Sequence, residues 1–353
     1  MTGIFRTVLA LVCALVAAAT AGCVESGRSD TGASNTVTAC PFAPDLTITA
    51  EVRIGYQAIP NADLYVKDQG LLQVCAPNAR ITWSRFSSGA DVVQAFGAGS
   101  IDIGTLGSSP ATKALSAPLN LPVRVLWIHD VIGTSEALVV KDPSITSIEG
   151  LRGQRIATPF GSTAHYSLLA ALDRAGVAGA VNLINMQPDA IPGAWSGDQI
   201  DAAWVWDPTL STLTAAGGKA ILSSADTAAE GAPTFDLAAA TTTFLEQQGP
   251  FAAVWAKAQA HAVDRLREDP GTAAVSVGAQ LGIEPAVAQA QLAGYTYPTA
   301  AEQAGPRYLG GGFADDLHRT AQFLLGQGGV AAVGSRQDYG AAIYPDAARA
   351  ATI

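Results

Sequence analysis

The sequence predicts an α/β protein built as two lobes, and three observations carry that expectation. From Leu46 onward, short apolar strand-like runs alternate with amphipathic helical stretches. The chain has 353 residues, 49% of them hydrophobic and 14% charged, which is apolar mass for a large core and too long for one core of ordinary size. Third, the chain repeats one of its own phrases. Phe96-x-x-Gly99-Ser100-Ile101-Asp102 leads through a strand to Gly107-Ser108-Ser109-Pro110, and Trp195-x-Gly197-Asp198-Gln199-Ile200-Asp201 leads through a strand to Trp206-Asp207-Pro208. In both, a helix ends at glycine, an Ile-Asp pair opens a strand, and proline starts the next helix, where its missing N–H would be unbonded anyway. Two such units suggest two facing lobes, with chance similarity as the alternative.

At the start of the chain, Arg6 supplies a short basic region. Thr7–Ala19 is apolar and contains Val8, Leu9, Leu11, Val12, Leu15 and Val16; the small residues Thr20-Ala21-Gly22 and then Cys23 follow. This reads as a secretory signal over residues 1–22, too short for an ordinary membrane span. The Ala-Gly-Cys ending resembles the lipobox of bacterial lipoprotein signals, in which the cysteine takes the lipid, although Thr20 stands where leucine is usual. A soluble exported protein cleaved nearby is the alternative. Residues 23–44, with almost no apolar periodicity, read as a flexible tether. Cys13 leaves with the signal and Cys23 is assigned to the lipid, so Cys40 and Cys75 remain. An oxidising compartment favours one disulfide between them, two separate buried thiols being the other possibility.

Along the folded part, strands are expected at Glu51–Gly55, Ile81–Arg85, Ile101–Gly104, Val123–Ile128, Ala137–Lys141, Arg155–Thr158, Val181–Asn185, Ala202–Val205 and Phe235–Ala240. Helices are expected between them, among them Ala90–Ala98, Thr163–Ala175 and Asp189–Ser196. Beyond Thr242 strands largely disappear, and Phe244–Asp269, Glu284–Leu292 and Phe313–Gly326 read as helices.

A net charge of −10 without any basic stripe argues against a nucleic-acid partner. The chain contains no HExxH, CxxC, G-x-S-x-G or phosphate-loop motif, and His129, His165, His261 and His318 have no metal-ligand spacing. No catalytic residue, metal or cofactor is therefore expected. Two strand-to-helix turns rich in small hydroxyl residues stand out: Gly107-Ser108-Ser109-Pro110 and Gly161-Ser162-Thr163-Ala164-His165-Tyr166. A helix start offers unbonded N–H groups and a partial positive charge, which suits an anion, and Ser and Thr hydroxyls add donors. Plain N-capping explains either turn taken alone.

Both turns fall within a longer pattern. Gly55-Tyr56-Gln57, Phe86-Ser87-Ser88-Gly89-Ala90, Ile103 to Pro110, Ser135 to Lys141, Arg155 to Phe160, Ser162 to Leu172, Asn185-Met186-Gln187-Pro188, Val205 to Pro208 and Ala232 to Asp236 closely resemble the taurine-binding proteins of the taurine/alkanesulfonate/nitrate-type importer family. The resemblance runs from about residue 51 to 330. It implies a type II periplasmic binding protein: two α/β lobes joined by two crossover segments, with the ligand cleft between them and hinge closure on the solute. The crossovers would fall near Glu136–Val140 and Gly231–Asp236, giving one lobe from residues 45–137 and 236–353 and the other from 138–235.

The resemblance also implies function. The chain would capture taurine and deliver it to the permease subunits of an ABC importer, as a monomer held by its lipid on the extracytoplasmic face of the cell membrane. Ser108 and Ser109 from one lobe, with Ser162 and Thr163 from the other, would hold the sulfonate. Glu136 and Asp236, one beside each crossover, would hold the ammonium. Trp206 would face the ammonium or the methylenes, with Gln57 and Tyr166 as walls. Asp207 departs from the taurine branch, where a small residue is usual; it reads as a helix cap unless it points into the cleft. His165 reads as structural. Another amino or aliphatic sulfonate, such as hypotaurine, is the nearest alternative. An enzyme of the same fold, such as a desulfinase with a cysteine nucleophile, is the more distant one, and the export signal argues against it.

Overall fold

The structure is a computed structural model that describes residues 39–352; the signal region, Cys23 and most of the tether lie outside the described residues. Strands in chain order are β1 Glu51–Gln57, β2 Arg80–Phe86, β3 Ile103–Gly107, β4 Val123–Ile132, β5 Glu136–Val140, β6 Arg155–Thr158, β7 Asn182–Asn185, β8 Ala202–Trp206, β9 Lys219–Ser223, β10 Phe235–Thr241 and β11 Tyr295–Thr296. They form two mixed sheets, in the orders β11-β4-β10-β3-β1-β2 and β7-β6-β8-β5-β9.

Burial explains why most of these strands are legible. In β3, β5 and β8 every residue is buried, as befits central strands covered on both faces, and such strands read as unbroken apolar runs. The edge strand β2 is instead only partly covered. Two strands escape the sequence reading. The edge strand β9 is half exposed and short, and β11 has only two residues, too few for any period.

The chain leaves the first sheet at Ile132, passes through Gly133-Thr134-Ser135 and enters the second at Glu136. Glu136 and Ala137, expected to close the first lobe, pair with Trp206 and Val205 in the second sheet. Phe235, expected to close the second lobe, pairs with Val131 in the first. Strand register sets these limits, because β5 and β10 begin where their partners' ends come level. The first crossover is tight: a β-carbon on Gly133 would lie 2.4 Å from the carbonyl oxygen of Gly294.

Each sheet accepts a strand that follows a crossover. Strand β10 inserts between β3 and β4, antiparallel to both, and β5 inserts between β8 and β9 in the same way. Two α/β lobes exchanging strands in this order constitute the type II periplasmic binding protein fold.

The sequence echo has a structural cause. Gly99 and Asp198 both take left-handed backbone at helix ends, with φ of 64° and 55°. The next residue closes each end by an N–H bond back into the helix, Ser100 to Ala95 at 3.0 Å and Gln199 to Ala194 at 2.9 Å. Asp102 then holds Arg53 of β1, accepting from its backbone N–H at 2.8 Å and from Nη2 at 2.6 Å. Asp201 holds Arg155 of β6 identically, at 2.8 Å and 2.7 Å. Each Asp thus ties the start of the strand that follows it to the parallel neighbour of that strand, β3 to β1 and β8 to β6.

The C-terminal helices pack on the first sheet. Trp255, in the helix Gly249–Glu268, meets Trp127 of β4 edge-on at 6.2 Å, and Phe313, which opens the helix Phe313–Gly326, meets Phe235 at 5.0 Å. The single helix expected over Phe244–Asp269 is two, Thr242–Gln247 and Gly249–Glu268. Pro250 is the reason: lacking an N–H, it is tolerated only in the first turn of a new helix. A disulfide joins Cys40 to Cys75, tying the segment before β1 to the helix Leu71–Cys75.

Candidate functional site

A cavity lies between the lobes. The first lobe contributes Gln57 at the end of β1, Gly107 at the end of β3, Ile132, Asp236 and Tyr295; the second contributes Glu136, Ser162, Thr163 and Trp206. The cavity is small, about 10 Å³, comparable to the space one water needs. The lobes are therefore shut on each other. Two helix N-termini meet there, Ser108–Leu115 after β3 and Thr163–Arg174 after β6.

Topology explains how distant residues converge. Glu136 and Trp206 are directly opposed across β5 and β8, so their side chains share one face. Asp236 is opposed to Gly107 on β3 and to Asp130 on β4, because β10 runs between them.

Hydroxyls and carboxyls meet at the cavity. Thr163 Oγ1 donates to Glu136 Oε2 and Ser224 Oγ to Glu136 Oε1, both at 2.6 Å. Each oxygen keeps a second lone pair, so Glu136 can still accept from a bound cation. Thr163 has spent its only hydroxyl proton, however, and has just its backbone N–H left to offer an anion. Ser162 Oγ accepts from His165 N at 3.1 Å, which leaves its own proton free to donate into the cavity.

Burial dominates the ionisation here. It pushes Glu136 up to about 7, against the opposing pull of the Ser224 and Thr163 hydroxyls. Burial and then the charge of Glu136 push Asp236 up to about 8. Asp130, fully buried, is raised well above the usual carboxylate range by burial, by Asp236 and by Glu136. Among the residues lining the cavity none is basic, so nothing there neutralises these acids.

Comparison with known proteins agrees with this architecture. The NMT1/THI5-like family profile matches residues 84–273. The taurine-binding periplasmic protein of Escherichia coli is 38% identical over 262 residues, covering 72% of this chain and 80% of that protein. The chain belongs to the NMT1/THI5-like family. A putative aliphatic sulfonates-binding protein of Escherichia coli is 29% identical over 177 residues, covering 48% of this chain and 54% of that protein. Among solved structures, the alkanesulfonate-binding protein of Xanthomonas axonopodis pv. citri bound to MOPS superposes with a TM-score of 0.68 at 22% identity, over 86% of this chain and 99% of that one.

In this family member the cavity gathers six of the residues singled out from sequence: Gln57, Glu136, Ser162, Thr163, Trp206 and Asp236. The three other residues expected to hold the ligand, Ser108, Ser109 and Tyr166, stand elsewhere. Ser108 turns its Oγ to accept from Phe235 N at 3.2 Å, bracing the start of β10, and neither Ser108 nor Ser109 lines the cavity. Tyr166 lies one turn along its helix from Thr163 and packs edge-on against Phe323 of the first lobe at 4.9 Å, outside the cavity. Asp207 accepts from Ser211 N at 2.9 Å and so caps the helix Thr209–Ala215. His165 stacks on Phe160 at 4.5 Å and accepts from Gly161 N at 3.2 Å; burial and Lys113 hold it neutral, at about 4.

Sequence reasoning missed Asp130 and Tyr295. Asp130 sits in an apolar strand with no motif around it. Tyr295 belongs to the two-residue β11 and reaches the site only because that strand pairs with Ile132.

Proposed function

We propose that this protein is the extracytoplasmic solute-binding subunit of an ABC importer and that its solute is taurine or a closely related amino sulfonate. The observation that carries the reading is opposed polarity inside one closed cavity. The start of the helix Thr163–Arg174, the Ser162 hydroxyl and the turn at Gly107 line the same space as the carboxyls of Glu136 and Asp236. A sulfonate stays ionised and needs convergent donors, which helix starts provide. An ammonium needs acceptors, and each charge-assisted bond to it contributes about 1.5–3 kcal/mol. Trp206 adds an aromatic wall beside Glu136, suited to a cation or a short methylene chain. The 38% identity to a taurine-binding periplasmic protein supports the same assignment.

In this reading the protein captures and releases without a reaction. The thiol that a cysteine-dependent desulfinase uses is not available among the described residues, where Cys40 and Cys75 are joined. Lipid attachment at Cys23 and action as a monomer, delivering solute to the permease, complete the proposal. Calorimetry with taurine, hypotaurine, isethionate and ethanesulfonate tests it. Taurine or hypotaurine binding at least tenfold tighter than isethionate, which carries a hydroxyl in place of the amine, is the expected outcome. Equal affinity for taurine and isethionate removes the carboxylates from ligand recognition.

A further inference from the structure

We infer that Asp130 is a third carboxylate of the cation-binding end, and that with Tyr295 it makes the site selective for a primary ammonium. The inference rests on the amino-sulfonate reading and extends it.

The geometry starts from β4. Ile132 lines the cavity, and Asp130, two residues earlier on the same strand, projects from the same face. Asp130 is also directly opposed to Asp236, which lines the cavity too. Two independent registers therefore aim Asp130 toward the site. Its side chain is fully buried, yet among the described residues neither carboxyl oxygen has a well-formed hydrogen bond, the one donor near it being the backbone N–H of Asp236. The Asp236 carboxyl beside it offers a bond only when one of the two carries a proton. Tyr295 lines the cavity, is buried, and has a hydroxyl without a partner.

Buried carboxyls without donors are costly, and native proteins retain them where a ligand supplies the donors. A primary ammonium carries three N–H groups. Glu136 and Asp236 line the cavity and Asp130 stands directly beside Asp236 behind that lining, three carboxyls from three strands, each with acceptor capacity left. Glu136 alone has its two oxygens already bonded by protein hydroxyls. The unmet demand is thus greatest at Asp130. The Tyr295 hydroxyl, at the edge of this group, donates to whichever carboxylate the ammonium leaves with a free lone pair.

The test uses the exported chain and four proteins: wild type, Asp130→Asn, Tyr295→Phe and Glu136→Gln. Taurine and isethionate affinities are measured by calorimetry, and free-state melting temperatures report folding. Asp130→Asn is expected to weaken taurine at least thirtyfold while isethionate changes less than threefold. Its amide can donate to Asp236, so the free protein is expected to melt at or above the wild-type temperature at pH 8. Tyr295→Phe is expected to weaken taurine three- to tenfold. Unchanged taurine binding by Asp130→Asn overturns the inference, as does an equal loss for taurine and isethionate in a variant that melts like wild type. If wild type binds neither sulfonate, the sulfonate reading fails. Ethanolamine and β-alanine, which keep the ammonium, then decide: binding by wild type and loss in Asp130→Asn support the inference, and no binding of either amine overturns it.

Discussion

Gly107 of the first lobe and Thr163 of the second touch across the cleft, so closely that a β-carbon on Gly107 would lie 2.5 Å from Thr163 Cγ2. The φ of Gly107, −68°, suits any L-residue, so alanine there is strained only by this contact. Opening the lobes relieves it. Gly107→Ala is therefore expected to leave the free protein's melting temperature little changed and to weaken solute binding by about 1–3 kcal/mol, roughly five- to 150-fold. Adding Thr163→Ser, which deletes Cγ2 and keeps the hydroxyl on Glu136, restores most of the affinity. Calorimetry on the single and double variants reads both. Wild-type affinity in Gly107→Ala would show that the solute-bound lobes stand further apart than here.

Solute binding should be linked to protons. Glu136, at about 7, and Asp236, at about 8, hold protons near neutrality that a bound ammonium displaces. Taurine affinity is expected to rise from pH 6 to pH 8, by up to about tenfold per pH unit for each proton released. Isethionate, with no cation, should gain nothing over that range. The free protein behaves oppositely. Its folded carboxyls titrate above their unfolded values, so the stability they contribute is complete below about pH 4 and is lost as pH rises through 7 to 8. Calorimetry in buffers of different ionisation enthalpy, with melting curves across the same pH range, checks both signs. A taurine affinity that falls with pH contradicts the carboxylate site.

Asp102 and Asp201 are expected to be stabilising and independent. Each accepts bonds from both the guanidinium and the backbone N–H of its arginine, but the arginines are half exposed, at 48% and 43%. Solvent screening limits the value, and Asp102→Ala and Asp201→Ala should each cost about 1–2 kcal/mol. In the double variant the losses should add within about 0.5 kcal/mol, because the two pairs lie in different sheets. Urea unfolding of the set measures this. A strong coupling between them would mean that the lobes do not unfold as separable units.

The Cys40–Cys75 bond closes a loop with a sequence separation of 35. Cross-linking a loop of that length restricts the unfolded chain, and its removal typically costs about 2–4 kcal/mol. The Cys40→Ser/Cys75→Ser variant should melt well below wild type and keep its taurine affinity within about twofold, since neither residue lines the cavity. Reduction of the wild-type protein should reproduce the lower melting temperature. A large loss of affinity without a loss of stability would place the disulfide in the binding mechanism.

Much of the fold is legible in one dimension because the information is short-range. Val139 and Val140 announce a buried strand and Ser162 a helix start through contacts within a few residues, and the twin Ile-Asp phrases announce two lobes through the local bonds that close the helix before each. The same signals identify the second lobe's helix start with Ser162 and Thr163, and the resemblance draws attention to Glu136 and Asp236. Local pattern fails where a strand is short or half exposed, as in β9 and β11, and where a capping hydroxyl is indistinguishable from a ligand-binding one, as at Ser108.

The sequence by itself determined two α/β units, their helix starts and a mixed set of hydroxyls and acids. Only the tertiary structure decided which of these face each other. Inserting β10 between β3 and β4 places Asp236 beside Asp130, and pairing β11 with Ile132 brings Tyr295 to the same wall. Cross-strand register joins residues far apart in the chain, and it depends on how whole sheets pair rather than on any local run of side chains.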